Sequence, residues 1–251
     1  MHFAYTTHCQ RILERNTNQS FMQNEKIKLC VFDLAGTIVQ DNNAVQKVFI
    51  KAFKDHDLKV DPHMVNAMMG YEKKYAITKL FESTGSPWSA KKMIPAIHKS
   101  FNEGMIKYYL DHAKPMVYAN TALKKIKAQD IKIAVNTGFG KRILLTIIDS
   151  LQWQDLIDAS ISSDQVSEGR PQPFMIEALK KKTKVMSSKQ VAKVGDTPSD
   201  LMEGHHADCA LNIGIYSKNF PLEEMKKYPH THLVPTLKEA TMIILAHNAT
   251  A

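Results

Sequence analysis

Three aspartates, a threonine and an arginine stand where apolar runs of this chain give way to small or polar residues. The apolar run Ile27–Phe32 stops at Asp33, and Gly36 then permits a sharp turn. A carboxylate at the C-terminal edge of a buried parallel strand can act as a nucleophile or as a metal ligand. In Val194-Gly195-Asp196-Thr197-Pro198-Ser199-Asp200, a second strand delivers Asp196 to the same edge, and Asp200 follows a tight turn. These residues fit a helix N-cap with an acidic first turn. Taken with Asp33, they also fit an oxygen set for Mg²⁺, which takes a few carboxylates together with water and substrate oxygen. At Asn136-Thr137-Gly138 a hydroxyl and free backbone N–H groups can hold a phosphoryl oxygen, although such residues are also ordinary loop chemistry. Arg170, in Glu168-Gly169-Arg170-Pro171-Gln172-Pro173, is either an isolated surface arginine or a phosphate clamp presented by a Gly/Pro-stiffened loop.

The elements that must position these residues alternate. Helical patterns at Thr121–Ala128, Lys141–Leu151, Phe174–Lys182, Ser199–Gly204 and Leu237–His247 interleave with strands at Ile131–Val135, Ala159–Ser162, Val191–Val194, Ala210–Ile215 and Leu233–Val234. That alternation predicts an α/β fold with a parallel sheet flanked by helices. Between the first strand and this series the pattern is helical throughout: Asn42–Leu58, a helix starting at Asp61-Pro62, Tyr75–Phe81, and a long segment towards His112 that Pro95 can bend. The expected division is a core of residues 27–41 and 116–251, an inserted all-helical cap of residues 42–115, and an N-terminal extension of residues 1–26. Met22 just ahead of the first strand makes residues 1–21 either a tail or sequence upstream of the true start.

The 251 residues suffice for a packed core. The net charge of +8 is spread over helical segments without a basic tail, which argues against nucleic acid and for a solvated surface that draws anionic substrates. No run approaches the roughly 18 apolar residues of a membrane span, and residues 1–26 lack the apolar core of a secretory signal. Cys9, Cys30 and Cys209 are odd in number and without ligand spacing, as expected of a reduced, cytoplasmic protein. His205-His206 and His230/His232 lack an assembled ligand set. The expected partner is a small phosphorylated or phosphonate substrate, with no nucleic acid or membrane, and a homodimer is compatible.

The stretch Asp33-Leu34-Ala35-Gly36-Thr37 resembles the first motif, DxDGT, of the haloacid dehalogenase (HAD) superfamily, with Ala35 in place of the second aspartate. The resemblance implies a Rossmann-like core in which Asp33 attacks a phosphoryl group, giving an aspartyl-phosphate that water hydrolyses. It assigns Thr137 and Gly138 to phosphoryl binding, Arg170 to the third motif, Asp196 to direct magnesium binding and Asp200 to the metal or its support. The Ala35 backbone oxygen is a further implied ligand. Mg²⁺ would lower the repulsion between carboxylate and phosphoryl group. What Ala35 removes is the carboxyl that protonates a departing alcohol, an effect worth about 10²–10⁴-fold.

The D-x-A-G-T form is similar to the phosphonatase-like branch of that superfamily, related to phosphonoacetaldehyde hydrolase. Met69-Gly70-Tyr71-Glu72-Lys73 resembles its cap segment M-G-x-x-K, which places Met69 and Gly70 at the substrate and Lys73 at a Schiff-base position. There the amine would form an imine with an aldehyde, so that the C–P bond leaves as an enamine and needs no protonated alcohol. A lysine with the ordinary pKa of about 10.4 must be desolvated, or placed beside another cation such as Lys74, to serve this role. Lys73 and Lys74 also read as a plain exposed helix face. Ala76, Phe139 and Asn42-Asn43 stand where true phosphonatases carry histidine, tyrosine and a cysteine. The alternatives are a phosphoglycolate phosphatase-like phosphomonoesterase and a non-catalytic HAD-fold binding or regulatory protein.

Overall fold

The computed structural model describes residues 25–86 and 88–251, so Cys9 and the reading of residues 1–21 lie outside the described residues. Six parallel strands form one sheet: β1 (Leu29–Phe32), β2 (Lys132–Thr137), β3 (Ala159–Ser162), β4 (Val191–Gly195), β5 (Leu211–Ile215) and β6 (His232–Val234). Their order is β3-β2-β1-β4-β5-β6, with the central β1 between β2 and β4. Every residue of β1 is buried, as expected for a strand covered on both faces. Cys30 and Phe32 enter one core and Leu29 and Val31 the other.

Register sets the working edge. Phe32 lies opposite Val135 on β2 and Val194 on β4. One residue further, Asp33 is level with Asn136 and Gly195, and Thr137 and Asp196 follow at the same edge. Here the order changes direction, with β2 on one side of β1 and β4 on the other, which is where open α/β sheets bind ligands.

Between β1 and β2 the chain forms α1 (Ala44–Lys54), α2 (Pro62–Ala67), α3 (Lys73–Ser83) and α4 (Ala90–His112). The later helices are α5 (Ala119–Lys127), α6 (Lys141–Ser150), α7 (Phe174–Thr183), α8 (Pro198–His206), α9 (Leu222–Met225) and α10 (Leu237–Thr250). One hydrophobic core runs from the sheet through Ile143 and Leu144 of α6 to Phe101, Met105 and Tyr109 of α4 and Phe49 of α1. Phe139, just after β2, is a junction: its ring centroid lies 5.9 Å from that of Tyr109 and 6.4 Å from that of Phe101.

Differences from the expected boundaries have local causes. β1 starts at Leu29 rather than Ile27, because the Ile27 N–H donates to Asn248 Oδ1 (2.7 Å) and its carbonyl accepts from Asn248 Nδ2 (2.9 Å). α1 starts at Ala44 because Asn42 and Asn43 both hold positive φ, 47° and 59°, a conformation asparagine tolerates better than most residues. α3 begins at Lys73, two residues earlier than the apolar pattern implies. α4 is assigned as one helix through Pro95. The four-residue α9 is too short to show an apolar period.

Candidate active site

Asp33 leaves β1 still tied to the sheet, its N–H donating to the Val194 carbonyl at 3.0 Å. The loop beyond folds on Leu34, whose carbonyl accepts from the N–H groups of Thr37, Ile38 and Val39 at 3.2, 3.0 and 2.8 Å. The Ala35 carbonyl accepts no hydrogen bond among the described residues. Gly36 has φ of 94°, and a Cβ there would overlap the Asp196 carboxylate. Gly36→Ala should therefore destabilise the fold by about 1–3 kcal/mol. A urea midpoint equal to that of the wild type would contradict this.

Asp196 follows β4. Thr37 Oγ1 donates to its Oδ1 at 3.0 Å. Thr197 caps α8: its hydroxyl accepts from the Asp200 N–H (3.3 Å), while Asp200 Oδ2 accepts from the Thr197 hydroxyl (2.5 Å) and N–H (3.2 Å). The helix-cap reading of this segment and the reading that gathers the carboxylates thus both hold. Oxygens of Asp33, Asp196 and Asp200 lie within 4.8 Å of one another, the one such His/Cys/Asp/Glu group among the described residues.

Arg170 is fully buried, not a surface side chain. Its NH1 donates to Asp33 Oδ1 at 2.7 Å, and its Nε to Glu203 Oε2 at 2.9 Å. Its NH2 donates to the backbone oxygen and Oδ1 of Asn136 at 2.9 and 2.7 Å. All three nitrogens are thus engaged by protein, and the guanidinium fixes the orientation of Asp33. Beneath it, Lys193 of β4 is also fully buried, with Nζ 2.8 Å from Asp200 Oδ1, 2.8 Å from Asn136 Oδ1 and 3.1 Å from Glu203 Oε2. Asn136 Nδ2 donates to both Glu203 oxygens, at 2.8 and 2.9 Å. Lys193 and Glu203 escape the sequence reading. Their only signal is a lysine amid the apolar run Val191-Ala192-Lys193-Val194 and a glutamate one turn past Asp200.

The charges do not balance without a cation. With all four ionised, Asp33, Asp196, Asp200 and Glu203 are four carboxylates facing two cations, Arg170 and Lys193, leaving two negative charges. Burial, and then repulsion from Asp33 and Asp200, push the Asp196 carboxyl well above the usual range. Burial also raises Asp33, against the pull of Arg170. Asp200 is buried too, yet Arg170 and Lys193 hold its carboxyl below the usual range. A divalent cation with oxygen preference fits this deficit. Asp33, Asp196 and the Ala35 carbonyl suit direct contact, while Asp200 is already spent on Thr197, Arg170 and Lys193 and suits support. Mg²⁺ at a hundredfold excess over its Kd should add about 2.7 kcal/mol of stability, raising Tm by roughly 5–10 °C. An unchanged melting curve on adding Mg²⁺ or EDTA would contradict the fit.

Lys73 is a second buried ionisable group at this edge. Although Lys74 beside it is exposed, Lys73 is only 4% exposed. Its Nζ donates to the Tyr71 carbonyl at 3.0 Å and lies 5.2 Å from the ring centroid of Phe139 and 5.7 Å from that of Phe49. Burial lowers its pKa to about 8. Residues 69–73 are threaded tightly against the sheet edge. The Lys73 N–H donates to the Gly138 carbonyl at 3.2 Å, and a Cβ on Gly138 would run into the carbonyls of Gly70 and Tyr71. Gly70 has φ of 80°, and a Cβ there would strike the hydroxyls of Ser199 and Thr197. Asp33, Ala35, Lys73, Thr137, Gly138 and Asp196, with Met69 and Gly70, line one cavity of about 340 Å³. Arg170 does not line it, lying behind Asp33.

The geometry can be set beside known proteins. The chain is 26% identical over 240 residues to phosphonoacetaldehyde hydrolase of Bacteroides fragilis, covering 90% of this chain and 91% of that one. It is 29% identical over 225 residues to phosphonoacetaldehyde hydrolase of Vibrio cholerae, covering 83% and 82%. Its fold superposes with a TM-score of 0.80 on a phosphonoacetaldehyde hydrolase-like protein from Oleispira antarctica, at 18% identity and over 90% and 94% of the two chains. The model of the haloacid dehalogenase-like hydrolase family matches residues 30–212, a span that runs from β1 into β5 and takes in Asp33, Thr137, Arg170, Asp196 and Asp200. With its strand-end aspartates inside that match, the chain belongs to the haloacid dehalogenase-like hydrolase family.

Proposed function

We propose that the protein hydrolyses the C–P bond of a small phosphonate whose carbonyl is one carbon removed from phosphorus, as in phosphonoacetaldehyde. One observation carries the reading: a buried lysine with a pKa near 8 lines the same cavity as a strand-end aspartate whose usual acid–base partner is replaced by Ala35. Lys73 attacks the carbonyl carbon and expels its oxygen as water, leaving a protonated imine. Asp33, held by Arg170, then attacks phosphorus. The C–P electron pair flows into the imine, giving an enamine on Lys73 and an aspartyl-phosphate on Asp33. Protonation and hydrolysis of the enamine free the aldehyde, and water cleaves the aspartyl-phosphate.

Thr137 and Gly138, at the end of β2, would hold phosphoryl oxygens, and Met69 and Gly70, which line the same cavity, would close it over them. Asp33, Asp196 and the Ala35 carbonyl, with Asp200 behind, would hold magnesium, which would supply the positive charge that lets two anions meet. A phosphomonoester would leave as an alkoxide, and Ala35 has no proton to give it. With Mg²⁺, the protein should release acetaldehyde and phosphate from phosphonoacetaldehyde, and Asp33→Asn should abolish both. Phosphate release from monoesters with no acetaldehyde would instead identify a phosphatase, and full activity of Asp33→Asn would refute the covalent route.

A further inference from the structure

The cavity holding Asp33 and Lys73 is larger than a two-carbon ligand requires. Its volume of about 340 Å³ lies in the range of sites for drug-sized ligands, about 300–1,000 Å³. Six side-chain amides lie in its remaining wall, and four of them form two pairs. Gln46 Nε2, on α1, donates to Asn66 Oδ1, on α2, at 2.8 Å. Asn219 Nδ2, in the loop after β5, donates to Asn43 Oδ1 at 3.1 Å. Each pair uses one donor and one acceptor on itself. Each leaves a carbonyl oxygen and an NH₂ group without a partner among the described residues: Gln46 Oε1 with Asn66 Nδ2, and Asn219 Oδ1 with Asn43 Nδ2. A hydroxyl donates one hydrogen bond and accepts others, so either pair is the complement of a hydroxyl. Asp41 lines the same cavity, and its ionised form repels an anionic tail.

We infer that the substrate is a phosphonate with a neutral, hydroxylated chain beyond its carbonyl, the hydroxyl being read by the Gln46–Asn66 or the Asn43–Asn219 amide pair. The inference rests on the phosphonate chemistry proposed above and adds the chain to it. The bond changes stay the same. Lys73 forms the imine with loss of water, the C–P bond breaks as phosphorus passes to Asp33, and the enamine gains a proton on carbon. Two hydrolyses then release a hydroxyketone and phosphate, for a net consumption of one water.

Hydroxyacetonylphosphonate and acetonylphosphonate differ by a single hydroxyl and test this directly. The wild type should prefer the hydroxylated compound by about tenfold in kcat/KM, the scale of one net hydrogen-bonding interaction. Gln46→Leu or Asn219→Leu should bring that ratio towards one. A wild-type ratio near one, or a ratio unchanged in both variants, overturns the inference. Cleavage of phosphonoacetaldehyde with turnover of neither longer compound overturns the inference alone. Failure of all three compounds to form an imine with Lys73 overturns the phosphonate reading as well.

Discussion

Replacing Lys73 by methionine is expected to abolish phosphonoacetaldehyde turnover and, near neutral pH, to make the folded protein more stable. The activity loss should be on the order of 10⁴ or more, as for other enzymes stripped of a covalent nucleophile. The gain in stability follows from the same burial. Lys73 binds its proton less tightly in the folded protein, with a pKa of about 8, than in the unfolded chain, at about 10.4. Between these values the unfolded chain carries the extra proton, so stability rises with pH across that window, and the full penalty is felt below pH 8. At 1.36 kcal/mol per pKa unit, the penalty approaches about 3 kcal/mol. Loss of the Nζ bond to Tyr71 and of the contacts with Phe49 and Phe139 reduces the net gain to about 1–2 kcal/mol. Urea melts at pH 7 and pH 10 check the sign: the advantage of Lys73→Met should be present at pH 7 and nearly gone at pH 10. A destabilised variant at pH 7 would mean that Lys73 is held for structure.

Lys193→Met should be among the most destabilising substitutions in the core. It leaves Asp200 and Glu203 sharing a single buried cation, Arg170, and breaking one partner out of a buried ionic cluster costs about 3–5 kcal/mol. For a chain of this size that is a fall in Tm of roughly 10 °C. Glu203→Gln alone takes from Arg170 and Lys193 the carboxylate they share. The double variant Lys193→Met/Glu203→Gln restores the count, so it should lie above the sum of the two single effects by about 1 kcal/mol or more. Strict additivity in a double-mutant cycle would show that the lysine and glutamate are not coupled. The cluster also explains why Asp33 is held in place. Arg170 bridges Asp33 to Glu203 and Asn136, and Lys193 secures the acceptors around it.

The sheet and its reactive edge were legible in the sequence because buried parallel strands are short apolar runs, and the residues that end them stand out. Asp33, Thr137 and Asp196 each end or follow such a run. What lies behind that edge was not legible. Arg170 follows a glycine and precedes a proline, and nothing in that pattern shows a guanidinium turned inward onto Asp33. Lys193 looks like an interruption of a strand until Asp200 and Glu203 of the following helix and the distant Asn136 are assembled around it. Lys73 and Lys74 illustrate the same limit at the scale of one helix turn. Adjacent residues on a helix point about 100° apart, so one amine is buried against Phe49 and Phe139 while its neighbour meets solvent. The late start of α1 was hidden in the backbone of Asn42 and Asn43, where two consecutive left-handed residues delay the helix.

The central claim is that the Lys73 amine forms a covalent bond with the substrate carbonyl. Borohydride added to the protein with phosphonoacetaldehyde, followed by peptide mass mapping, reads that bond directly. The predicted result is a reduced two-carbon adduct on the peptide containing Lys73, absent in Lys73→Met and formed faster as pH rises towards and past 8. An unmodified Lys73 peptide in protein that still releases phosphate from the compound would contradict the account.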